Sequence, residues 1–201
     1  MREYLVTMTT HVPDGTSEEA VDDIRSREAA RSRELAAQGN LVRLWRPPLG
    51  PGEWRTFGLF AADDDGQLEE VLASMPLRVW RSDEVTPLRP HPNDPGSAPR
   101  VNGTASEFLT TFTETVPAGT PDQAMADVRS QETQRAHELA EEARLERLWR
   151  LPGEGRALGL WRAVDLAEMQ AIVKSLPLDP YMTTEITPLS QHPTDPLIRR
   201  G

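Results

Sequence analysis

The sequence predicts an α+β protein in which the order strand, helix, strand, strand, helix, strand occurs twice. Three observations predict this class. Residues 12–46 recur as residues 116–150, each copy mixes alternating and helical apolar spacing, and a stretch rich in Pro, Gly and Ser separates the copies. Each unit is therefore expected to be ferredoxin-like. Because helices on one face of such a sheet leave the other uncovered, we expect the two sheets to pair as an intramolecular pseudo-dimer, like a dimeric α+β barrel.

The repeat extends over nearly the whole chain. The segments VPDGT, RSREAARSRELA and LVRLWR in the first copy face VPAGT, RSQETQRAHELA and LERLWR in the second. After a three-residue slip, SMPL faces SLPL, and VTPLRPHPNDP faces ITPLSQHPTDP. The sequence predicts one unit at 1–89, a second at 106–201, and a linker at 90–105 whose composition is typical of connecting segments.

Alternating apolar residues predict the strands of each unit, and turns rich in Pro and Gly separate the two strands of a hairpin. The predicted elements are, in order, a strand at 3–9 and 107–112, a helix ending near 38 and 142, hairpin strands at 41–45 with 54–61 and at 145–149 with 157–163, a second helix at about 65–75 and 165–175, and a last strand at about 79–86 and 181–187.

Helix boundaries are predicted from capping residues and prolines. Thr16 and Thr120 are each followed three residues later by Glu or Gln, which is the pattern of a capping box at the start of the first helix. Pro76 and Pro177 end the second helix, since proline cannot continue one. Both copies carry the same boundary signals.

The composition excludes several kinds of partner and site. The formal net charge of −10 argues against nucleic acid, which proteins bind with an excess of Lys and Arg. The chain has no cysteine, its histidines lack metal-ligand spacing, and no glycine-rich phosphate loop occurs, so we expect no metal site and no nucleotide-binding loop. Without a long apolar run we expect no membrane partner and a cytoplasmic location.

A glutamate interrupts the apolar stripe of the first helix in both copies. Glu28 falls four residues after Ile24 on the stripe that also holds Leu35, and Glu132 occupies the same position in the second copy. Burial raises the pKa of a carboxyl group, which would suit a general base. Spacing alone favours a structural ion pair instead. The matched arginines able to form it are Arg25 with Arg129, Arg31 with Arg135, and Arg43 with Arg147.

Two other matched pairs leave alternatives open. His91 and His192 precede a proline after the last strand, where an imidazole can shuttle protons or cap a turn. Trp45 and Trp149 lie inside the matched RLWR segments, where they can pack against the first helix or line a ligand pocket.

Three short motifs together resemble the muconolactone delta-isomerase family: RLWR after the first helix, LPLDPYM after the second, and a closing HP. The second copy carries the LPLDPYM motif intact, whereas the first has Trp80 where Tyr181 stands. The resemblance implies single units that pair into ferredoxin-like dimers and build larger rings. It therefore implies a homo-oligomer of fused pairs for this chain.

The resemblance also implies a reaction, the cofactor-free movement of a proton in a small unsaturated lactone or related carbonyl acid during aromatic catabolism. The family's glutamate on the first helix aligns with Glu28 and Glu132, which makes them the predicted catalytic bases. Arg43 and Arg147 suit a substrate carboxylate. The remaining predicted substrate-binding residues are Trp45, Trp149, Tyr181, Trp54, His91 and His192.

One position departs from the family pattern. The family places a histidine followed by an aromatic residue in the hairpin, where this chain has Glu53 and Glu154. The departure leaves two alternatives open: a cofactor-free cyclase or oxygenase of a specialised biosynthetic pathway, and a non-catalytic binding module if arginines neutralise both glutamates.

Overall fold

The computed structural model describes residues 1–96 and 105–199, so half of the predicted linker, residues 97–104, lies outside the described residues. The chain divides into two compact units, Met1–Leu88 with Ser190–Gly201, and Arg89–Leu189. These units follow the two repeats except at the closing segments. We call Met1–Leu88 with Ser190–Gly201 unit 1 and Arg89–Leu189 unit 2. The predicted boundaries at 89 and 106 describe the repeats rather than these units, because side chains of unit 1 bind the segment after Leu189.

The first repeat forms an antiparallel sheet in the order β2, β3, β1, β4. Its elements are β1 (Arg2–Thr10), α1 (Glu18–Ala37), β2 (Leu41–Arg46), β3 (Arg55–Ala62), α2 (Asp65–Ala73), a short 3-10 helix (Pro76–Trp80) and β4 (Arg81–Pro90). This is the predicted βαββαβ order, and the prediction of an α+β ferredoxin-like unit is confirmed.

The second repeat has the same order, β6, β7, β5, β8. Its elements are β5 (Ser106–Glu114), α3 (Asp122–Glu141), β6 (Leu145–Arg150), β7 (Arg156–Ala163), α4 (Leu166–Lys174), a 3-10 helix (Asp179–Tyr181), β8 (Met182–Gln191) and a final 3-10 helix (Pro196–Arg199). The prediction that the element pattern occurs twice is therefore confirmed as well.

The last strands are longer than predicted, because both continue through a proline. Pro87 pairs with Tyr4 of β1, and Pro188 pairs with Phe108 of β5. Proline has no N–H to donate and is uncommon inside a strand, and the predicted strands stop just before these prolines, at 86 and 187. The extension lets the end of β8, within unit 1, pair with the end of β2.

The predicted capping boxes are wrong by one residue. Ser17 caps α1, since its hydroxyl accepts a hydrogen bond from the backbone N–H of Ala20 at 3.2 Å. Thr16 and Thr120 donate instead to the carbonyl oxygens of the prolines three residues earlier, at 2.6 and 2.8 Å. Pro121 is the N-cap residue of α3 and provides no side-chain hydrogen bond to the helix. Both threonine hydroxyls are used by the preceding turn.

Each unit has its own hydrophobic core between its sheet and its helices. The two cores are built from Tyr4, Val6, Met8, Leu35, Leu41, Leu44, Phe60, Ala62, Leu68, Val71, Leu72 and Met75 in unit 1, and from Phe108, Phe112, Ala136, Leu139, Leu145, Leu148, Trp161, Ala163, Met169, Ile172, Val173 and Leu176 in unit 2. Among the described residues, no helix is long and apolar enough to cross a membrane.

A matched glycine in the third strand of each repeat makes room for a ring. A Cβ at Gly159 would lie 2.2 Å from Nε1 of Trp161, and one at Gly58 would lie 2.4 Å from the Phe60 ring. The rings can therefore lie flat over the sheet only because these positions carry no side chain. This packing fixes the sheet beneath the first helix, which carries the candidate site.

Candidate functional site

Glu28 lies in the middle of α1 and contacts the chain on either side of Trp80. Its Oε2 accepts a hydrogen bond from the backbone N–H of Leu77 at 2.8 Å. Its Oε1 accepts a hydrogen bond from Nη1 of Arg81 at 3.2 Å. The side chain of Arg81 is 2% exposed and that of Glu28 is 13% exposed, so the ion pair is largely removed from water.

Arg81 links Glu28 to further charges. Its Nε lies 2.6 Å from Oδ1 of Asp83, and Asp83 also contacts Arg78, which pairs with Glu69. Burial raises the pKa of Glu28, while the Leu77 N–H and the positive charge of Arg81 lower it and the Asp83 carboxylate raises it further. The carboxylate of Glu28 is thus one end of an ion-pair network that continues through Arg81, Asp83 and Arg78 to Glu69.

Glu132 has the same position in the second repeat and shares one of the two contacts. Its Oε2 accepts a hydrogen bond from the backbone N–H of Leu178 at 2.9 Å, as Glu28 does from Leu77. Met182 stands where the first repeat has Arg81. Over residues 1–96 and 105–199, no cation pairs with Glu132. The two glutamates therefore differ in their charged neighbours although their backbone contact is the same.

A second carboxylate lies near Glu132. Burial is the largest cause that raises the pKa of Glu132, the Leu178 N–H lowers it, and the negative charge of Glu114 raises it further. Glu114 itself accepts a hydrogen bond from Arg129 at 2.5 Å. Glu132 is thus a partly buried carboxyl group that is easier to protonate than an ordinary glutamate and has no positive partner among the described residues.

Within the part of the chain that the structure describes, the six arginines expected to neutralise the glutamates contact other groups, so that expectation is wrong. Arg31 pairs with Glu34 and Arg135 with Glu138, each within its own helix. The guanidinium of Arg25 stacks on the Trp54 ring at 4.5 Å. The ion-pair partner of Glu28 is Arg81, which the repeat comparison could not indicate because the two copies differ there.

A second cluster, which we call the closing clasp, holds the closing segment of unit 1. Nη2 of Arg43 lies 3.0 Å from Oδ2 of Asp195, and its Nε is 3.1 Å from Oδ1 of the same carboxylate. The side chains of Arg43 and Asp195 are 1% and 0% exposed. Asp195 also accepts a hydrogen bond from the backbone N–H of Leu44, and Arg43 stacks on the buried Trp45 ring at 4.7 Å.

Unit 2 has an equivalent closing clasp. Nε of Arg147 lies 3.3 Å from Oδ1 of Asp94, and the backbone N–H of Leu148 donates to Oδ1 at 2.9 Å. Arg147 stacks on the buried Trp149 ring at 4.7 Å. This pair is more accessible, with side-chain exposures of 17% and 10%. Two predicted arginines, and two predicted tryptophans with them, therefore belong to these clasps.

The aspartates of the clasps were missed by sequence reasoning, which singled out the histidines of the same HPNDP and HPTDP motifs. Each histidine helps to shape the turn that presents its aspartate. Nδ1 of His91 accepts a hydrogen bond from the backbone N–H of Asn93, and Nδ1 of His192 accepts one from Thr194. The signal was available, since both aspartates are matched in the repeat.

The titration of His192 gives a testable dependence of stability on pH. Burial, and then the nearby positive charge of Arg46, lower the pKa of His192 from 6.5 to about 4. The unfolded chain therefore takes up a proton at higher pH than the folded chain. We expect the free energy of unfolding to fall as the pH drops from 6.5 towards about 4.

Urea unfolding at about pH 7 and about pH 4.5 would measure this loss of stability. The comparison is the variant His192→Asn, because an asparagine side chain can still accept the hydrogen bond of the turn. The variant should lose less stability on acidification than the unmodified chain. Equal losses in both would contradict the assignment. His91→Asn is the matched variant in unit 2, where burial also lowers the pKa of His91.

The other predicted substrate-binding residues occupy separate places. Trp54 lies beneath Arg25, as described, and Tyr181 ends the 3-10 helix that precedes β8. Glu53 and Glu154, at the family's histidine position, are exposed, and the Glu53 carboxylate accepts a hydrogen bond from the backbone N–H of Gly50 at 3.0 Å. Substrate binding by these side chains stays a prediction.

The described part of the chain contains no group of three or more His, Asp or Glu side chains placed to hold a metal ion. The carboxyl groups of the two helix sites are capable of hydrogen bonding, ion pairing and proton transfer. Of the two, only Glu132 combines a raised pKa with the lack of a described cationic partner.

Fold and site together define a tandem ferredoxin-like α+β protein with a partly buried glutamate on the first helix of each unit. A model of the family described as muconolactone delta-isomerase matches residues 2–94 and 106–195. This chain belongs to the muconolactone delta-isomerase family and contains two tandem copies of the family's unit. The resemblance inferred from the sequence motifs is confirmed.

Curated relatives agree with this assignment, and each spans a little under half of the chain. Muconolactone Delta-isomerase 1 of Acinetobacter lwoffii is 33% identical over 90 residues, which cover 45% of this chain and 91% of that protein. Muconolactone Delta-isomerase of Cupriavidus pinatubonensis is 31% identical over 90 residues, which cover 45% of this chain and 95% of that protein.

Solved structures of similar fold extend over the whole chain. A heme-binding protein from Thermus thermophilus has a TM-score of 0.58 at 12% identity and covers 94% of this chain and 92% of its own. Chlorite dismutase from Candidatus Nitrospira defluvii has a TM-score of 0.56 at 12% identity, with 94% and 91% coverage. At these identities the likeness concerns the fold alone.

Proposed function

We propose that this chain is a cofactor-independent isomerase that moves a proton within a small unsaturated lactone acid of the muconolactone type, with Glu132 as the general acid and base. The observation that carries the proposal is the state of Glu132. It is partly buried, its pKa is raised, and no described cation neutralises it. Family membership supplies the reaction class, and the names of the relatives supply the substrate class.

The contacts of Glu132 suit a single proton-transferring group. The backbone N–H of Leu178 holds Oε2 in place, and Oε1 accepts no hydrogen bond from the described residues. A carboxylate fixed at one oxygen can present the other to a substrate carbon. Burial and the negative charge of Glu114 bring the pKa of Glu132 closer to neutrality, which favours a carboxyl group that must take a proton and give it back.

The proposed reaction needs no other proton carrier. The proton on the ring carbon beyond the double bond is acidic because the resulting negative charge spreads through that double bond onto the lactone carbonyl oxygen. Glu132 would remove this proton, hold it while the double bond moves, and return it two carbons away. The bond order changes within the substrate and no electrons leave it, so the step requires no oxidant or reductant.

We propose Arg147 as the arginine that binds the substrate carboxylate. It belongs to the same unit as Glu132, and its pair with Asp94 is partly exposed, whereas Arg43 is buried against Asp195. An arginine can exchange one carboxylate for another through the same bidentate geometry. The homo-oligomer of fused pairs, the cytoplasmic location and the role in aromatic catabolism likewise remain predictions.

The alternative functions have less support. The binding-module alternative requires arginines to neutralise both glutamates, but among the described residues only Glu28 has such a partner. The cyclase or oxygenase alternative rests on the changed hairpin position, where Glu53 and Glu154 are exposed. Neither observation favours these functions over the isomerase.

The test is turnover of muconolactone by the purified chain with a chelator present and no added cofactor. We expect the ultraviolet absorbance of the lactone to shift and NMR to identify the enol-lactone product. In heavy water, deuterium should appear at the carbon that receives the proton, because the carboxyl proton of a partly exposed glutamate can exchange with solvent. A chain that neither converts the lactone nor exchanges its acidic proton would contradict the proposal.

A further inference from the structure

The two glutamate sites differ most at two positions of the last strand. In β4 these positions hold Arg81 and Asp83, and in β8 they hold Met182 and Thr184. The positions are equivalent in structure as well as in sequence. Asp83 pairs across the sheet with Met8, and Thr184 pairs with Phe112 at the same step of the matching strand.

In unit 1 the two residues fill the surroundings of Glu28 with charge. Arg81 reaches Glu28 at 3.2 Å and Asp83 at 2.6 Å, and both Arg81 and Asp83 have almost fully buried side chains. Removing Glu28 from this network would leave the Arg81 guanidinium with one partner instead of two. The Arg81 cation lowers the pKa of Glu28 against the larger effect of burial, and a proton that binds Glu28 would have to displace that cation.

In unit 2 the same space holds no charge from the strand. Met182 is partly buried against the hydrophobic core, and the hydroxyl oxygen of Thr184 is buried without a hydrogen-bond partner among the described residues. The carboxyl group of Glu132 can therefore change its protonation state without breaking an ion pair.

We propose that Arg81 and Asp83 silence the first site, and that the identity of these two residues decides which glutamate of the duplicated chain can transfer a proton. The backbone contact that positions the carboxylate, from Leu77 or Leu178, is the same in both units. Exchanging Arg81 and Asp83 for methionine and threonine would thus remove from unit 1 the two strand charges that unit 2 lacks. This inference rests on the proposed function, in which Glu132 carries the reaction.

The first experiment transfers the silencing pair into unit 2. The double variant Met182→Arg, Thr184→Asp retains Glu132 but should place an ion-pair partner beside it. We expect kcat for muconolactone to fall by at least about 100-fold, within the range set by the loss of a general base. Full activity in this variant, with its fold intact by circular dichroism, would overturn the inference.

The second experiment removes the pair from unit 1. In a chain inactivated by Glu132→Gln, adding Arg81→Met and Asp83→Thr should raise kcat at least about tenfold above the Glu132→Gln background, because Glu28 becomes an available base. Arg81→Lys in the same background is the matched control, since lysine keeps a positive charge near Glu28 and should restore nothing. Equal activities in the two variants would count against the role of Arg81.

A readout without turnover separates this inference from the proposed function. Carbon-13 NMR of labelled glutamate can follow the titration of Glu28 in the Arg81→Met, Asp83→Thr chain. The loss of the Arg81 cation should raise the pKa of Glu28 by more than the loss of the Asp83 carboxylate lowers it, because Arg81 has the larger effect of the two. A raised pKa in a protein that does not convert muconolactone would refute the substrate while sustaining the silencing role, and an unchanged pKa would refute that role.

Discussion

Replacing Glu132 with glutamine is expected to lower kcat for muconolactone by about 10²- to 10⁴-fold, the usual contribution of a general acid or base. Glutamine keeps the shape of the side chain and can still accept the hydrogen bond from the backbone N–H of Leu178. It cannot take up the substrate's proton. The loss should therefore appear in kcat, with little change in KM, in steady-state kinetics followed by ultraviolet absorbance.

Glu28→Gln is the matched control for this prediction, since it makes the same change at the equivalent position of the first unit. Because Glu28 is held by Arg81, we expect that variant to keep most of the activity. Equal losses from the two single variants would show that both units work. A large loss from Glu28→Gln alone would reverse the assignment of the active unit.

Replacing Asp195 with asparagine is expected to lower the free energy of unfolding by about 3–5 kcal/mol, as when one partner of a buried ion pair is removed. The carboxylate of Asp195 is fully buried and binds both Arg43 and the backbone N–H of Leu44. Asparagine removes the carboxylate charge that faces the buried Arg43 guanidinium in a site with almost no exposure to water. The midpoint and slope of urea unfolding would measure the loss.

Two comparisons make this second prediction specific. Asp94→Asn, in the equivalent clasp of unit 2, should cost less because that pair is partly exposed and water screens the remaining charge. The double variant Arg43→Met, Asp195→Leu should be more stable than Asp195→Asn, since it removes both charges. If Asp195→Asn lowers the free energy of unfolding no more than Asp94→Asn does, burial of the ion pair contributes little to stability.

Most of the elements could be predicted from local sequence. Alternating apolar residues located the strands, and the prolines at 76 and 177 placed the ends of the second helices to within a few residues. The predictions that failed concern the ends of elements, where the helix caps and the lengths of the last strands differ from those expected. The hydroxyls of Thr16 and Thr120 bond to a preceding turn instead of capping a helix, and proline occurs inside β4 and β8.

The candidate site was predictable only in part, because a repeat reveals the residues that two copies share. Glu28 and Glu132 were found in this way. Arg81 could not be, since it is unmatched and lies 53 positions from the glutamate it binds. Glu114, whose charge affects the pKa of Glu132, could not be found either, because the first copy has no glutamate at the equivalent position.

The sequence by itself determined the duplication, the element order, the family and the pair of glutamates. Each of these can be recognised from local residue patterns or from motifs that occur in both repeats. Only the tertiary structure decided which charges surround each glutamate. Those charges come from a strand that folding brings against the helix, so the state of a carboxyl group depends on contacts distant in sequence. The glutamates are equivalent in sequence, whereas Arg81 and Asp83 make their environments different.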